Sequence, residues 1–137
     1  MDMMVDTSFC IDLMKEQASG TAGQAMCRLK ELGDSGLAIS VFSLCELKAG
    51  ARMSRKAADE LRRVDALETM LAVIYPDRDF SAEFGRVTAH LRRNGTPIPL
   101  MDLLIGVTAL RSGLPILTAD APHFNRVPGL TVAEYRR

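Results

Sequence analysis

IPLMDLLIGVTALRSGLPILTAD, from Ile98 to Asp120, holds two kinds of element back to back. From Asp102 to Arg111 the chain is apolar almost all round, and a helix of that character is buried. Gly106 and Ala109 allow close packing along it. Gly113-Leu-Pro115 then ends it, a glycine and a proline in the order that stops helices. Pro115–Thr118 is a short apolar run bounded by Pro and Asp, which reads as a strand. The charge of Asp102 stands at the head of the buried helix, and Asp120 stands just past the strand.

Working outward, four more runs read as strands: Met3–Asp6, Leu37–Val41, Ala72–Tyr75 and Leu130–Val132. The segments between them carry helical periodicity. Ala22, Ala25, Met26, Leu29 and Leu32 share one face; so do Leu61, Val64, Leu67 and Leu71, and again Phe80, Phe84, Val87 and Leu91. Strands alternating with helices imply right-handed crossovers. The expected fold class is therefore α/β in three layers, with a mainly parallel central sheet of four to five strands and helices on both faces. No internal repeat, linker or low-complexity tract divides the chain, so residues 1–137 are expected to form a single domain.

Bulk properties set limits on function. Lys+Arg and Asp+Glu are equal at 17 each, so the molecule lacks a strong basic field to draw in a polyanion. Such a partner has to be held by a local patch or by bound cations. Cys10, Cys27 and Cys45 are odd in number and lack CxxC spacing, which argues against disulfides or a zinc knuckle and fits a reducing cytoplasm. All three read as small core hydrophobes. Two histidines are too few for a histidine-based metal cluster. The opening MDMMVDTSF has no basic region before a long apolar run, so no signal peptide is expected. Leu100–Val107 is far short of the roughly 20 residues that span a bilayer, and the expectation is a soluble protein.

Four carboxylates recur at comparable places. Asp6 and Asp120 follow strands, where ligands of open parallel sheets bind. Glu46 falls in the first turn of an expected helix Ser43–Ala51, and Asp102 opens the buried helix. Singly, each reads as helix capping: Ser43-Leu-Cys-Glu46 has the form of a capping box, and acids favour helix N-termini anyway. Jointly, four acids converging beside apolar segments would repel unless cations neutralise them. Magnesium or manganese, which prefer oxygen ligands, would do so. The spacing suggests a metal site and names no reaction.

In order and context these segments resemble the PIN-domain family, in its VapC-type toxin branch. Met4-Val-Asp6-Thr-Ser8 resembles the opening strand and first catalytic Asp. Ile39-Ser-Val-Phe-Ser-Leu-Cys-Glu46 resembles the second motif, Ile98-Pro-Leu-Met-Asp102 the third, and Leu114-Pro-Ile-Leu-Thr118-Ala-Asp120-Ala-Pro-His-Phe124 the fourth. Arg126-Val-Pro-Gly-Leu-Thr-Val resembles the closing strand, so the likeness covers essentially the whole chain. It implies a PIN-like sheet with an acidic pocket at its carboxyl edge. It implies endoribonuclease activity dependent on Mg2+ (or Mn2+), with Asp6, Glu46, Asp102 and Asp120 as catalytic and metal-holding acids. Ser8 and Thr118 match hydroxyl positions that support the first carboxylate or the attacking water. The implied partners are an RNA substrate, a cognate VapB-type antitoxin of a type II toxin–antitoxin module and a second copy in a homodimer. The residue before the Phe of the fourth motif is often acidic in the family; here it is His123, which is read as a surface residue without a partner.

Lys48, Arg52, Arg55, Lys56, Arg62 and Arg63 follow Glu46, interspersed with Asp59, Glu60 and Asp65. They read either as a solvated helix face or as phosphate contacts beside the pocket. Tyr135, Arg136 and Arg137 are too terminal to interpret. Two other classes stay open. A receiver-like phosphoryl-acceptor domain also puts acids at a parallel sheet's edge, but it wants adjacent acids after the first strand and a late Lys, and there is no Lys after Lys56. A PIN-like binding module without catalysis is the other.

Overall fold

A computed structural model describes residues 2–33 and 36–136, so Arg137 lies outside the described residues. The order of elements is β1 (Met3–Val5), α1 (Thr7–Ser19), α2 (Gln24–Leu32), β2 (Leu37–Ser40), α3 (Val41–Met53), α4 (Ala57–Met70), β3 (Ala72–Ile74), α5 (Phe80–Arg93), α6 (Leu100–Ser112), β4 (Ile116–Thr118), α7 (Ala121–Phe124) and β5 (Val132–Glu134). The five strands make one sheet in the order β3-β2-β1-β4-β5, and every pairing is parallel. The chain winds outward from β1 through β2 to β3, then crosses back to place β4 on the other side of β1. That reversal between β1 and β4 is where α/β sheets open a crevice at their carboxyl ends.

Strand alternation separates the two faces. Met4 pairs with Ile116 and Val5 with Leu117. Successive side chains of a strand point to opposite sides. Val5, Ile39 and Leu117 pack with Phe9 and Leu13 of α1, Leu44 and Leu47 of α3, and Val64 and Leu67 of α4. Met4 and Ile116 pack on the opposite face with Ile105 and Ala109 of α6 and Phe124 of α7. Helix α6 also turns Leu103 and Val107 toward Val87 and Leu91 of α5. It is thus sandwiched between the sheet and another helix, which is why its sequence lacks a polar stripe.

Element edges differ from the sequence expectation in instructive ways. Asp6 is the N-cap of α1, not the last residue of β1, and its side chain accepts from the Phe9 amide. The third helix begins at Val41, directly off β2, with Ser40 as its N-cap accepting from the Ser43 amide. The expected Ser43–Ala51 helix therefore starts two residues early, and Glu46 lies in its second turn. The last strand is Val132–Glu134, two residues later than Leu130–Val132. A turn occupies the earlier residues: Leu130 N–H donates to the Val127 carbonyl at 3.3 Å, and Gly129 sits at φ +82°. Leu130 is instead an apolar plug against α6. Of the cysteines only Cys10 is in the core. Cys27 and Cys45 are exposed, because Ala25 in α2 and Leu44 and Leu47 in α3 take the inward positions. Among the described residues no helix is long and apolar enough to cross a membrane.

A Cβ built on Gly106 would lie 3.4 Å from Phe124 and 3.5 Å from Val127, ordinary contact distances. There is room for one methyl group and no more. Gly106→Ala should therefore stabilise the fold by about 0.5–1 kcal/mol, the usual cost of glycine inside a helix. Gly106→Leu should destabilise by overpacking. Urea unfolding of the two variants checks both signs.

Candidate active site

Asp6 is the most constrained acid. It is 4% exposed, and both carboxylate oxygens are engaged. Oδ1 accepts from the Ser8 hydroxyl at 2.7 Å and the Phe9 amide at 2.9 Å; Oδ2 accepts from the Thr118 hydroxyl at 2.5 Å. Burial pushes its carboxyl above the ordinary range. The bonds from Thr118, Ser8 and Phe9 pull the other way, and the charge of Asp102 adds to the rise. Ser8 and Thr118 stand where the sequence placed them, beside the first carboxylate. Each also braces the fourth motif: Ser8 Oγ accepts from the Ala119 amide at 3.1 Å, and Thr118 Oγ1 from the Asp120 amide at 2.8 Å. The ends of β1 and β4 are locked into one unit.

Asp102, in the first turn of α6, and Asp120, just ahead of α7, meet around His123. His123 Nδ1 is 2.8 Å from Asp102 Oδ2 and 2.9 Å from Asp120 Oδ2. The three groups are partly buried, and their ligand atoms all lie within 4.8 Å of one another. His123 is therefore no partnerless surface residue. The signal was present in its spacing: positions three apart on a helical turn share a face, so a histidine at 123 falls beside residue 120. Asp120 makes no capping bond, and no ion pair to Lys or Arg is seen for either acid among the described residues. Asp6 and Glu46 stand outside this trio.

Glu46 has no capping role, since Ser40 already satisfies the Ser43 amide. Its Oε1 instead accepts from the Thr7 hydroxyl at 2.6 Å. Thr7 was missed by sequence reasoning, although it adjoins Asp6. Its position at the start of α1 lets it tie the second-motif acid of α3 to the residue after the first-motif acid. Of the basic cluster, Lys48 pairs with Glu68 at 2.8 Å and Arg62 with Asp59. Arg52, Arg55 and Lys56 are exposed. A helix rises 1.5 Å per residue, so Arg52 lies about 9 Å along α3 from Glu46.

The arrangement is a crevice at a sheet's carboxyl edge, with hydroxyls fixing one buried carboxylate and two further acids facing a shared space. Its donors suit a divalent cation: carboxylate oxygens in excess, with charge that needs neutralising. Residues 3–130 match the PIN domain family, to which the chain belongs. Within that family it is of the VapC type. It is 29% identical over 132 residues to the tRNA(fMet)-specific endonuclease VapC of Salmonella typhimurium, covering 96% of each chain. It is 28% identical over 127 residues to ribonuclease VapC1 of Haemophilus influenzae strain R2866, covering 93% of this chain and 92% of that one. The structure of DNA-bound VapBC from Salmonella typhimurium superposes with a TM-score of 0.88 at 29% identity, covering 99% of both chains.

The raised Asp6 carboxyl has a consequence for stability. A folded-state value above the unfolded one favours the protonated form, so that stability is fully present below the ordinary carboxylate range and is lost as pH rises through the raised value. Asp6→Asn keeps an acceptor for the cap and removes the buried charge. In chelator at pH 7 it should melt above wild type, and the gap should close as the pH is lowered into the ordinary carboxylate range. A variant less stable than wild type at pH 7 would show that the bonds from Ser8, Phe9 and Thr118 outweigh burial.

Proposed function

We propose that the chain is a Mg2+- or Mn2+-dependent endoribonuclease, the toxin of a type II toxin–antitoxin module, hydrolysing RNA phosphodiester bonds at this acidic site. One observation supports the reading: Asp102 and Asp120 meet around His123 beside the β1/β4 crevice, and the charge of Asp102 acts on the buried carboxylate of Asp6. Asp102 and Asp120 present oxygens to a common space; Asp6 is the N-cap of α1, and Glu46, in the second turn of α3, is bonded by Thr7, the residue after Asp6.

Asp6, Asp102 and Asp120 would hold the ion, with Glu46 ligating directly or through water. Bound there, a divalent ion lowers the pKa of a coordinated water and neutralises charge on the phosphate. The protein's own part is positional. Thr118 and Ser8 fix the plane of the Asp6 carboxylate, and Thr7 holds Glu46 by a hydrogen bond. Attack by water leaves a 5′-phosphate and a 3′-hydroxyl, and the 2′-hydroxyl serves recognition only.

The partners follow from the same reading. Relatives of known structure include VapBC assemblies from Salmonella typhimurium and Haemophilus influenzae, which supports a VapB-type antitoxin as the cognate inhibitor. A homodimer is the expected assembly of the free toxin.

Purified free of antitoxin, the protein should cleave single-stranded RNA only when magnesium or manganese is present. Asp102→Ala should lower the rate by about 100-fold or more, as loss of a metal-supporting group does. Glu46→Gln should retain wild-type stability and lose activity. Cleavage that survives both chelator and Asp102→Ala would overturn the reading. In the same protein, a divalent ion at 100 times its dissociation constant should stabilise the fold by about 2.7 kcal/mol. Asp102→Asn should remove most of that gain in a thermal melt.

A further inference from the structure

We propose that His123 is itself a metal ligand of this site, and that its nitrogen makes the site prefer manganese over magnesium. The proposal rests on the metal-dependent reading above and adds the identity of one donor. Three features of the structure support it.

The first is distance. His123 Nδ1 lies 2.8 Å from Asp102 Oδ2 and 2.9 Å from Asp120 Oδ2. An octahedron with bonds of 2.0–2.1 Å has edges of about 2.9 Å between neighbouring ligand atoms. The imidazole nitrogen therefore stands at the spacing of a neighbouring ligand from each carboxylate oxygen, and the three ligand atoms lie within 4.8 Å of one another.

The second is how firmly the ring is held. His123 rides on α7, a single turn with Pro122 in its first positions. Phe124, the next residue, is 1% exposed in the core against α6, and the Asn125 amide closes the turn onto the Ala121 carbonyl at 2.8 Å. The anchored phenylalanine keeps its neighbour at the crevice.

The third is donor chemistry. Magnesium takes oxygen ligands and holds its waters, whereas imidazole suits the later divalent metals of the first transition row. Replacing one carboxylate by an imidazole also removes a negative charge. The lost charge weakens both ions, and the nitrogen donor weakens magnesium more than manganese.

Ligation has a signature apart from activity. An ionised carboxylate only accepts hydrogen bonds, so in the metal-free protein a hydrogen bond from the ring to either acid requires a proton on Nδ1. A metal on Nδ1 takes that proton's place and leaves the ring proton on Nε2. With only two histidines in the chain, their ring nitrogens give few signals, and His123→Gln identifies the pair that belongs to His123.

The test is calorimetric titration of wild type, His123→Gln and His123→Glu with Mn2+ and with Mg2+. Nitrogen NMR of the histidine rings is then recorded with and without Zn2+, a diamagnetic stand-in. The manganese-to-magnesium affinity ratio should fall at least about tenfold in His123→Glu, which restores an all-oxygen set. His123→Gln should weaken manganese more than magnesium. The His123 ring should change from protonated Nδ1 to protonated Nε2 as zinc saturates. An unchanged ratio in both variants, or Nδ1 still protonated at saturation, overturns the proposal while leaving the ribonuclease reading intact. If neither ion binds wild type, both fall together.

Discussion

The hydrogen bond from Thr118 to Asp6 is 2.5 Å long and joins residues 112 apart in sequence. It is made at the one place where the sheet reverses its winding order, between β1 and β4. A buried carboxylate is costly without partners, and here three donors surround it. Two of them come from its own helix turn and one from the far end of the chain. The fold must bring β4 beside β1 in register for the third to exist. The same hydroxyl then accepts from the Asp120 amide, so the bond that settles the first acid also places the last.

From that junction the remaining geometry follows. Val5 and Leu117 face α1, α3 and α4, while Met4 and Ile116 face α6 and α7. Because α6 lies between the sheet and α5, its N-terminal turn is fixed on two sides, and Asp102 has little freedom to leave the crevice. Phe124 packs into the same cluster and fixes α7. The acids therefore stand on rigid elements that converge from both faces of the sheet. Constellations of this kind work when their supports are packed and not left to mobile loops.

The parts of this design that depend on local pattern were readable from the residues. Alternating strands and helices, the all-round apolar run of α6 and its Gly113 stop, and the order of the four acids all carry signals within a few residues. What was not readable depends on contacts distant in sequence or on competition between neighbours. Ser40 and Ser43 both offer a plausible cap, and only the direct passage from β2 into α3 decides for Ser40, which frees Glu46 for Thr7. Leu130 has the composition of a strand residue, yet the cavity beside α6 claims it and delays β5 to Val132. His123 was read as partnerless because one of its two partners, Asp102, lies on a different helix. Its other partner, Asp120, was within reach of a helical-spacing argument.

Helix α1 carries a second carboxylate whose balance of forces is the reverse of Asp6, and the contrast separates structural acids from working ones. Asp12 accepts from the Tyr135 hydroxyl at 2.6 Å and from two nitrogens of Arg136 at 3.0 and 2.6 Å. Burial opposes its ionisation, but the bonds from Tyr135 and Arg136 and the Arg136 charge prevail and hold the carboxyl below its ordinary range. A lowered value adds stability above the ordinary carboxylate range that is lost as pH falls. This acid thus supports the fold, through residues whose terminal position hid their role. The Tyr135 ring also meets Phe9 edge-on at 5.0 Å, and the Phe9 amide caps Asp6. The end of β5 therefore braces the same helical turn that presents the strained carboxylate. Asp6 has the opposite sign because its deep burial is not offset by a cation, and the charge of Asp102 adds to the rise. A protein retains such a charge at a cost to its stability, and a cation bound at the crevice would remove that cost.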